Sequence, residues 1–265
     1  MARPKSRRVW VVGALGRMGA CVREVIGAEP GLELGAALEA PGHPRLGERL
    51  EGGVTVGDDA KAAADAADLA IDFSVPPASL AALRAAAERG IPYVCGTTGF
   101  SDAERAEIAG LARRIPVLLA PNFSLAVNVL TWLTREAARR LGPGWDAELV
   151  ELHHAAKRDA PSGTALRLAE AVAQGRGEQR AEQLVLERAG ETGPRPEGAI
   201  GIQTLRGGDN PGEHTVHFVG RGERLELAHR AHTRDHFARG AVRAALWLAD
   251  REPGLYRADQ AFGLE

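Results

Sequence analysis

Hydrophobic positions in the first half of the chain fall into short continuous runs separated by alanine-rich amphipathic stretches. Runs without polar alternation are typical of strands covered on both faces. Apolar residues spaced three and four apart are typical of helices. The pattern predicts strands at 9–13, 32–38, 69–74, 93–98 and 117–122, with helices at 17–28, 79–89 and 102–114. This β–α alternation predicts parallel strands with covering helices.

The pattern changes near residue 124. A long helix is predicted at 125–141 and an alternating strand with one open face at 145–154, followed by an irregular connection at 174–198. Closely spaced strands at 200–208, 213–220 and 223–232 then predict a mixed open sheet. We therefore expect an α/β chain with a first domain at 1–124 and a second α+β domain at 125–234. The C-terminal segment 235–265 is expected to be a helix that packs back on the first domain.

Composition excludes several classes of protein. The 265 residues are 45% hydrophobic and 26% charged, with a net charge of −2, so nothing indicates a nucleic-acid partner. Cys21 and Cys95 lack the spacing of a disulfide framework or a zinc site, which fits a reducing compartment. The start, MARPKSRR before VWVVGAL, faintly resembles a signal peptide, but its apolar run is too short. We expect a soluble cytoplasmic protein without a membrane span.

Three glycines follow the first predicted strand. The sequence VVGALGRMG places Gly13, Gly16 and Gly19 between that strand and the next helix. Glycine permits a tight turn and a close approach of the backbone to a pyrophosphate, while the helix N-terminus supplies free N–H groups. A purely structural turn is the alternative, but the flanking strand and helix favour a Rossmann-like dinucleotide-binding domain.

Glu39 ends the second predicted strand, 20 residues after Gly19, where a ribose-binding carboxylate is expected. Such a carboxylate accepts hydrogen bonds from ribose hydroxyls and repels a 2′-phosphate, which an arginine usually accommodates. Ala40 follows Glu39, and Arg17 inside the glycine turn would meet that phosphate only in part. We therefore expect NADH to be used at least as well as NADPH.

Residues 151–165, ELHHAAKRDAPSGTA, allow three interpretations. A metal site is disfavoured, because His153 and His154 are adjacent and would point to opposite faces of a strand. The other histidine sets also lack ligand spacing, and no metal is expected. A helix start is favoured by Ser162, a good N-cap preceded by Pro161.

An anion pocket combines this helix start with the basic residues before it. Free N–H groups at Gly163 and Thr164 suit a carboxylate, and Lys157 and the two histidines lie just upstream. Because the glycine turn already provides for the nucleotide, this second site is expected to serve a small dicarboxylate substrate. A histidine or a lysine there can donate a proton. The residues alone therefore predict a nicotinamide-dependent reductase of a small anionic substrate.

The stretch closely resembles the signature of the dihydrodipicolinate reductase (4-hydroxy-tetrahydrodipicolinate reductase) family. Other segments resemble the family in the same order along almost the whole chain: GALGRMG (13–19), CGTTGF (95–100), APNFSLAVNVL (120–130), RGGDNPGEH (206–214) and HTRDHFARGAVRAALWL (232–248). The resemblance implies reduction of a cyclic hydroxy-imine dicarboxylate to tetrahydrodipicolinate, on the route to diaminopimelate and lysine. It also implies NADH or NADPH as cofactor, no metal, a Rossmann domain and a homotetramer assembled through the second domain.

The resemblance further implies a role for individual residues. The acid–base histidine falls on His153 and the proton-donor lysine on Lys157, with substrate contacts at His154, Ser162, Gly163 and Thr164. The implied cofactor contacts are Gly13, Ala14, Leu15, Gly16, Arg17, Met18, Glu39, Gly96, Thr97, Thr98, Ala120, Pro121, Asn122 and Phe123. Many members carry an arginine where this chain has Ala40, a difference that bears on the use of NADPH.

Two other functions remain open at this point. One is a different Rossmann reductase that acts on a small amino or keto acid. The other is a non-enzymatic nucleotide sensor, which would bind NADH without turnover and would have no use for HHxxK beside a helix start. Fold alone does not separate these possibilities.

Overall fold

The computed structural model describes residues 6–177 and 184–264. The chain divides into two compact units, one formed by Met1–Leu125 with Arg234–Glu265 and the other by Ala126–Thr233. The helices and strands before the second unit are β1 (Arg7–Val12), α1 (Arg17–Ala28), β2 (Leu32–Leu38), β3 (Val56–Gly57), α2 (Ala60–Asp65), β4 (Leu69–Asp72), α3 (Pro76–Arg89), β5 (Tyr93–Cys95), α4 (Asp102–Leu111) and β6 (Pro116–Leu119). Those that follow are α5 (Leu125–Leu141), β7 (Asp146–His153), α6 (Gly163–Arg176), β8 (Leu184–Val185), β9 (Ile200–Arg206), β10 (Glu213–Val219), β11 (Arg224–Arg230), α7 (Asp235–Leu248), β12 (Gly254–Tyr256) and α8 (Ala258–Phe262).

The first unit is built on a parallel sheet with the strand order β12-β6-β5-β4-β1-β2-β3. Strand β1 shows why its sequence lacks polar alternation, since Val9, Trp10, Val11 and Val12 are all buried. Val9 and Val11 pack in a core with α1 and α7, and Trp10 and Val12 pack in a second core with α3. Helices on both faces confirm the α/β fold class predicted from the hydrophobic runs.

Several boundaries in this unit differ from the prediction. Helix α3 begins at Pro76 rather than Ser79, because proline is tolerated in the first turn, where no intrahelical N–H bond is needed. Helix α4 ends at Leu111, before Arg114. The short elements β3 and α2 were missing from the prediction, since two to six residues carry too little periodicity to be recognised.

The C-terminal segment 235–265 is not one helix. Helix α7 ends at Leu248 and packs on α1 within the first unit. The chain then passes Pro253, which cannot continue a helix. Gly254–Tyr256 instead add β12 to the sheet, parallel to β6, and α8 follows. The edge strand escaped prediction because it is three residues long and its partner lies far away in sequence.

The second unit is built on a mixed sheet with the strand order β11-β10-β7-β9-β8. Strand β7 lies between β9, to which it is parallel, and β10, to which it is antiparallel. One sheet face is covered by a core that includes Leu149, Ile202, Phe218 and, from α6, Leu168 and Val172. The alternating sequence of β7 follows from this arrangement, because every second side chain faces the helices.

The connection predicted as irregular at 174–198 is partly regular. Helix α6 runs to Arg176 and ends at Gly177 with positive φ. Residues 178–183 of the predicted connection lie outside the described residues. Further along, β8 pairs in parallel with β9, and Arg195 binds the carboxylates of Asp146 and Glu148 at 2.8 Å each.

The contact between α7 and the segment after β6 yields a prediction about stability. A Cβ atom at Gly240 would lie 1.7 Å from the Phe123 carbonyl oxygen, so Gly240→Ala must displace backbone. We expect the free energy of unfolding, measured by urea denaturation, to fall by at least about 1–3 kcal/mol. The control is Gly27→Ala in α1, where an added Cβ meets nothing within 4 Å and a gain of up to about 1 kcal/mol is expected. Equal stability of the two variants would contradict this packing.

Candidate active site

The glycine turn lies at the carboxyl end of β1. Gly13 has a φ of 73°, and a Cβ at Gly19 would lie 2.1 Å from the Gly13 carbonyl oxygen, so α1 passes this turn at a distance only glycine allows. No side chain caps α1 at Gly16, and its first turn contains no acidic residue. The first N–H groups of α1 therefore suit a negatively charged phosphate.

Glu39 lies beside the turn and is part of its structure. Its Oε1 accepts a hydrogen bond from the Leu15 N–H at 2.6 Å, while the backbone N–H of Gly13 donates to the Leu38 carbonyl at 2.9 Å. The carboxylate thus holds the glycine turn through one of its two oxygens. Ala40 is exposed, as is Arg17 at the start of α1.

The remaining expected cofactor residues follow β5 and β6 at the same edge of the sheet. Thr98 and Pro121 are exposed, whereas Thr97 and Phe123 are buried. The Thr97 hydroxyl donates to Asp72 at 3.2 Å, so this side chain is used within the protein. The Asn122 carboxamide oxygen accepts the Ser124 N–H at 2.8 Å, which shapes the turn after β6.

Asp72, at the end of β4, holds these loops together. It is fully buried and accepts hydrogen bonds from the Ser74 N–H at 2.9 Å and from the Thr97 hydroxyl. Its backbone carbonyl accepts the Gly96 N–H at 2.8 Å. The Phe73 ring occupies the space of a Gly96 side chain, which would lie 2.2 Å from its Cε1 atom. The hydrogen bonds of Asp72 and the packing of Phe73 on Gly96 therefore hold the ends of β4 and β5 together next to the exposed Thr98.

In the second unit, His153 ends β7 and lies on the helix-covered face of the sheet. It is 8% exposed, and its Nδ1 atom is 2.5 Å from Oε2 of Glu151. The two residues meet because they are two apart on one strand and share a face. His154 follows the strand, and its backbone N–H donates to the Asn210 carbonyl at 2.8 Å. In the described ranges, no group of three or more His, Cys, Asp and Glu residues is placed so that it could hold a metal ion.

Glu151 is the centre of the polar cluster in this unit. Its side chain is fully buried, and each oxygen accepts one hydrogen bond from the Arg206 guanidinium, at 2.9 and 3.0 Å. Oε1 also accepts the Ser162 N–H at 3.0 Å and the Thr204 hydroxyl at 3.2 Å. Burial raises the pKa of Glu151, but the bonds from His153, Arg206 and Ser162 outweigh it and lower the pKa to about 2. The carboxylate is therefore ionised at neutral pH.

Ser162 caps α6, as its sequence position predicted. Its Oγ accepts the Ala165 N–H at 3.1 Å and is hydrogen-bonded to Nε2 of His214 at 3.0 Å. The backbone N–H and the hydroxyl of this buried serine are thus both hydrogen-bonded within the protein. At the first turn of α6, Gly163 is exposed and Thr164 is half-buried.

Lys157 lies in the loop between β7 and α6. Its Nζ atom forms an ion pair with Asp159 at 2.9 Å, and the Lys157 side chain is 21% exposed. The hydrogen bond from Lys157 lowers the pKa of Asp159. Arg206 also donates to the Asp159 carbonyl at 2.7 Å. The Arg206 guanidinium, which is hydrogen-bonded to Glu151, is therefore also hydrogen-bonded to the loop that carries Lys157.

Residues 206–214 do not form a hairpin. Strands β9 and β10 lie on opposite sides of β7, so this connection must cross the end of β7. Its backbone pairs with the residues there, with Gly207 donating to the His153 carbonyl at 3.0 Å and Ala155 donating to the Gly208 carbonyl at 3.0 Å. The loop therefore covers the strand end that carries the two histidines.

Comparison with known proteins identifies the family. The family model described as "Dihydrodipicolinate reductase, N-terminus" matches residues 7–123, and the one described as "Dihydrodipicolinate reductase, C-terminus" matches residues 126–262. The chain belongs to the dihydrodipicolinate reductase family. This confirms the resemblance noted from the sequence motifs and makes the chain a member of a family of reductases.

Individual relatives cover almost the whole chain. A protein of Anaeromyxobacter dehalogenans (strain 2CP-1 / ATCC BAA-258) named 4-hydroxy-tetrahydrodipicolinate reductase is 48% identical over 97% of this chain and 98% of its own length. One of the same name from Desulfotalea psychrophila is 47% identical, with the same coverage. A solved structure, "Dipicolinate bound Dihydrodipicolinate reductase from Paenisporosarcina sp. TG-14", has a TM-score of 0.79 at 24% identity, over 96% of this chain and 98% of that one. That likeness concerns the fold.

Sequence reasoning missed Glu151, Arg206 and His214 as members of the polar cluster around His153. The signal for Glu151 was present, because the buried positions of β7 alternate as Ala147, Leu149, Glu151 and His153. A glutamate in register with core residues must be paired. Its partner Arg206 lies 55 residues away, and only the pairing of β7 with β9 brings them together. His214 carried a similar signal, because it alternates with the buried Val216 and Phe218 of β10, but its partner Ser162 lies 52 residues away on another element.

The buried His214 predicts an acid-sensitive second unit. Burial first, and then the neighbouring His153, lower the pKa of His214 to about 3, against about 6.5 in an unfolded chain. Between these values the unfolded state binds one more proton, so stability falls as pH falls, by up to about 1.4 kcal/mol per pH unit. Below about pH 4.5 the depressed pKa of Glu151 adds to the loss.

The measurement is the free energy of unfolding by urea between pH 6.5 and 4.5. We expect the free energy of unfolding of His214→Asn to depend less steeply on pH than that of the parent protein. The difference in slope should approach the contribution of one proton, about 1.4 kcal/mol per pH unit. His217→Asn removes a histidine from the same strand but outside the buried cluster and serves as the control. An unchanged slope in the His214 variant would show that His214 is not the titrating group.

Proposed function

We propose that this chain is a 4-hydroxy-tetrahydrodipicolinate reductase. It reduces the dehydrated cyclic imine dicarboxylate to (S)-2,3,4,5-tetrahydrodipicolinate, within diaminopimelate and lysine biosynthesis. The observation that carries the proposal is 47–48% identity over 97% of the chain to relatives of that name. The site adds a histidine–carboxylate pair, a lysine and an exposed helix start on one β7–α6 connection, which are the groups that such a substrate needs.

The nucleotide is proposed to bind along the carboxyl edge of the first unit. The start of α1 receives the pyrophosphate, Glu39 receives a ribose hydroxyl, and the exposed ends of β5 and β6 receive the nicotinamide half. The bound cofactor supplies a hydride. The other steps of the reaction fall to side chains and amides of this chain.

A substrate carboxylate is proposed to bind at the first turn of α6. Gly163 and Thr164 offer backbone N–H groups and the positive end of the helix dipole. Ser162 positions this turn through its cap rather than by contact with substrate. His154 and Lys157 are proposed to contact the same substrate. Lys157 then gives up its ion pair with Asp159 and binds the substrate instead.

His153 and Lys157 are proposed as the source of the proton. Addition of hydride at the ring carbon conjugated with the imine moves an electron pair toward the ring nitrogen, where a proton must arrive. Positive groups held in place against developing charge lower the barrier without reorganisation, and proton donation by a side chain adds about 10²–10⁴-fold.

A coupled assay tests this proposal. Dihydrodipicolinate synthase supplies the unstable substrate, and loss of NADH absorbance reports turnover. We expect His153→Ala and Lys157→Ala each to lower kcat by about 10²–10⁴-fold while the Kd for NADH is retained. The control is Lys61→Ala, at an exposed lysine of α2 that forms an ion pair with Glu88.

The outcomes separate this function from the alternatives. Turnover of a different amino or keto acid, without turnover of the synthase product, would indicate another reductase. NADH binding without any turnover would indicate a nucleotide sensor. Near-normal kcat in either variant would refute the residue assignment while leaving the function in place.

The cofactor preference is a separate proposal. Glu39 favours a free ribose over a 2′-phosphate, and Ala40 offers no positive charge. We expect kcat/KM with NADH to equal or exceed kcat/KM with NADPH, and Ala40→Arg to raise the value for NADPH. A strong preference of the parent protein for NADPH would contradict this role of Glu39.

We also propose a homotetramer assembled through the second unit, working in the cytoplasm. Assembly is supported by the sheet face opposite α5 and α6, where Leu205 and Val219 are 47% and 39% exposed. No helix in residues 6–177 and 184–264 is long and apolar enough to cross a membrane.

A further inference from the structure

Glu151 is buried between His153 and Arg206 in the second unit. We propose that Glu151, held by Arg206, is the positioning residue that orients His153 and stabilises its protonated ring for proton donation. The inference rests on the proposed reductase function and deepens it. Four observations lead to it: the pairing of Nδ1, the space at Nε2, the neutral state of the second imidazole and the link to α6.

The first observation is the direction of the His153 ring. Nδ1 faces an ionised carboxylate at 2.5 Å, and a carboxylate accepts but does not donate hydrogen bonds. The ring must therefore keep its Nδ1 proton, as histidines paired with a carboxylate do. The proton given to a substrate then leaves from Nε2, and the ring returns to the neutral Nδ1–H form.

The second observation is the space at Nε2. A Cβ at Gly212 would lie 2.9 Å from this atom, and Gly212 has a φ of 148°, which other residues rarely adopt. Gly212 therefore leaves room beside Nε2. The described residues provide Nε2 with no hydrogen-bond partner, whereas Nδ1 is fully engaged.

The third observation is the state of the neighbouring imidazole. The His214 ring stands edge-on to His153, with 5.1 Å between centroids. It is buried, bound to Ser162, and without a carboxylate partner in the described chain. Its depressed pKa keeps it neutral. Of the two rings, only that of His153 faces a carboxylate.

The fourth observation links the proton donor to the substrate's anchor. The carboxylate that binds His153 through Oε2 binds the Ser162 N–H through Oε1. Ser162 in turn caps the first turn of α6. The Glu151 side chain therefore fixes the position of the proton donor His153 relative to the backbone N–H groups that are proposed to hold the substrate.

Glu151→Gln tests the proposal, with Glu148→Gln as the matched control. Glu148 lies on the same strand at the opposite face, where it pairs with Arg195. We expect Glu151→Gln to lower kcat by about 10²-fold or more, up to the loss in His153→Ala. Because the anion that favours the protonated ring is gone, the alkaline limb of its kcat–pH profile should move to lower pH. Glu148→Gln should keep the parent profile.

The double variant separates positioning from general damage. If Glu151 acts through His153, Glu151→Gln combined with His153→Ala should have the kcat of His153→Ala alone. Multiplied losses, or a Glu151→Gln profile with an unmoved alkaline limb, would overturn the proposal. Retained NADH affinity shows that the first unit is intact in each variant.

A measurement on the parent protein covers the case in which Glu151→Gln fails to fold. Two-bond ¹H–¹⁵N correlation NMR, with His153→Ala used for assignment, should show His153 protonated at Nδ1 and titrating at Nε2. An Nε2–H tautomer would overturn the proposal. This readout needs no turnover, so it holds even if the parent protein fails to reduce the synthase product, a result that would refute the proposed function instead.

Discussion

The second unit depends on the ion pair and hydrogen bonds that surround the buried carboxylate of Glu151. Removing such a charge from water costs several kcal/mol unless partners surround it. Here Arg206 supplies the opposite charge and Ser162, His153 and Thr204 supply further donors. Since these partners belong to β7, β9 and the start of α6, the carboxylate ties three elements at one point. Loss of any charged partner would leave an uncompensated ion in the core.

A related constraint operates in the first unit. Asp72 is fully buried at the end of β4, and its acceptors are filled by Ser74 and Thr97 from loops that follow two adjacent strands. Parallel strands bring their carboxyl ends to one edge, and loops there carry ligand-binding groups. Anchoring such loops on a buried carboxylate lets exposed residues such as Thr98 keep a defined position. Glu39 does the same for the glycine turn through the Leu15 N–H.

Local patterns predicted most of the fold. Helices α1 and α5 and strand β2 have the predicted boundaries, because their periodicity runs through the whole element. The glycine turn and the Ser162 cap were also predictable, since both depend on residues close together in sequence. The failures were β3, α2, β12 and the end of α7. Strands β3 and β12 and helix α2 are short or are set by a partner strand elsewhere, whereas the end of α7 had a local signal in Pro253.

The sequence by itself determined the two sheet types, the glycine turn, the helix cap and the family. These depend on periodicity and on motifs read over a few residues. Only the tertiary structure decided that Glu151, Arg206 and His214 surround His153, that the Thr97 hydroxyl is used internally, and that the 206–214 loop crosses the end of β7. The physical reason is strand pairing. The β7–β9 register brings together residues 53 positions apart, and the β7–β10 register brings together residues 61 to 73 positions apart. Burial then forces their charges and hydrogen bonds to be satisfied by one another.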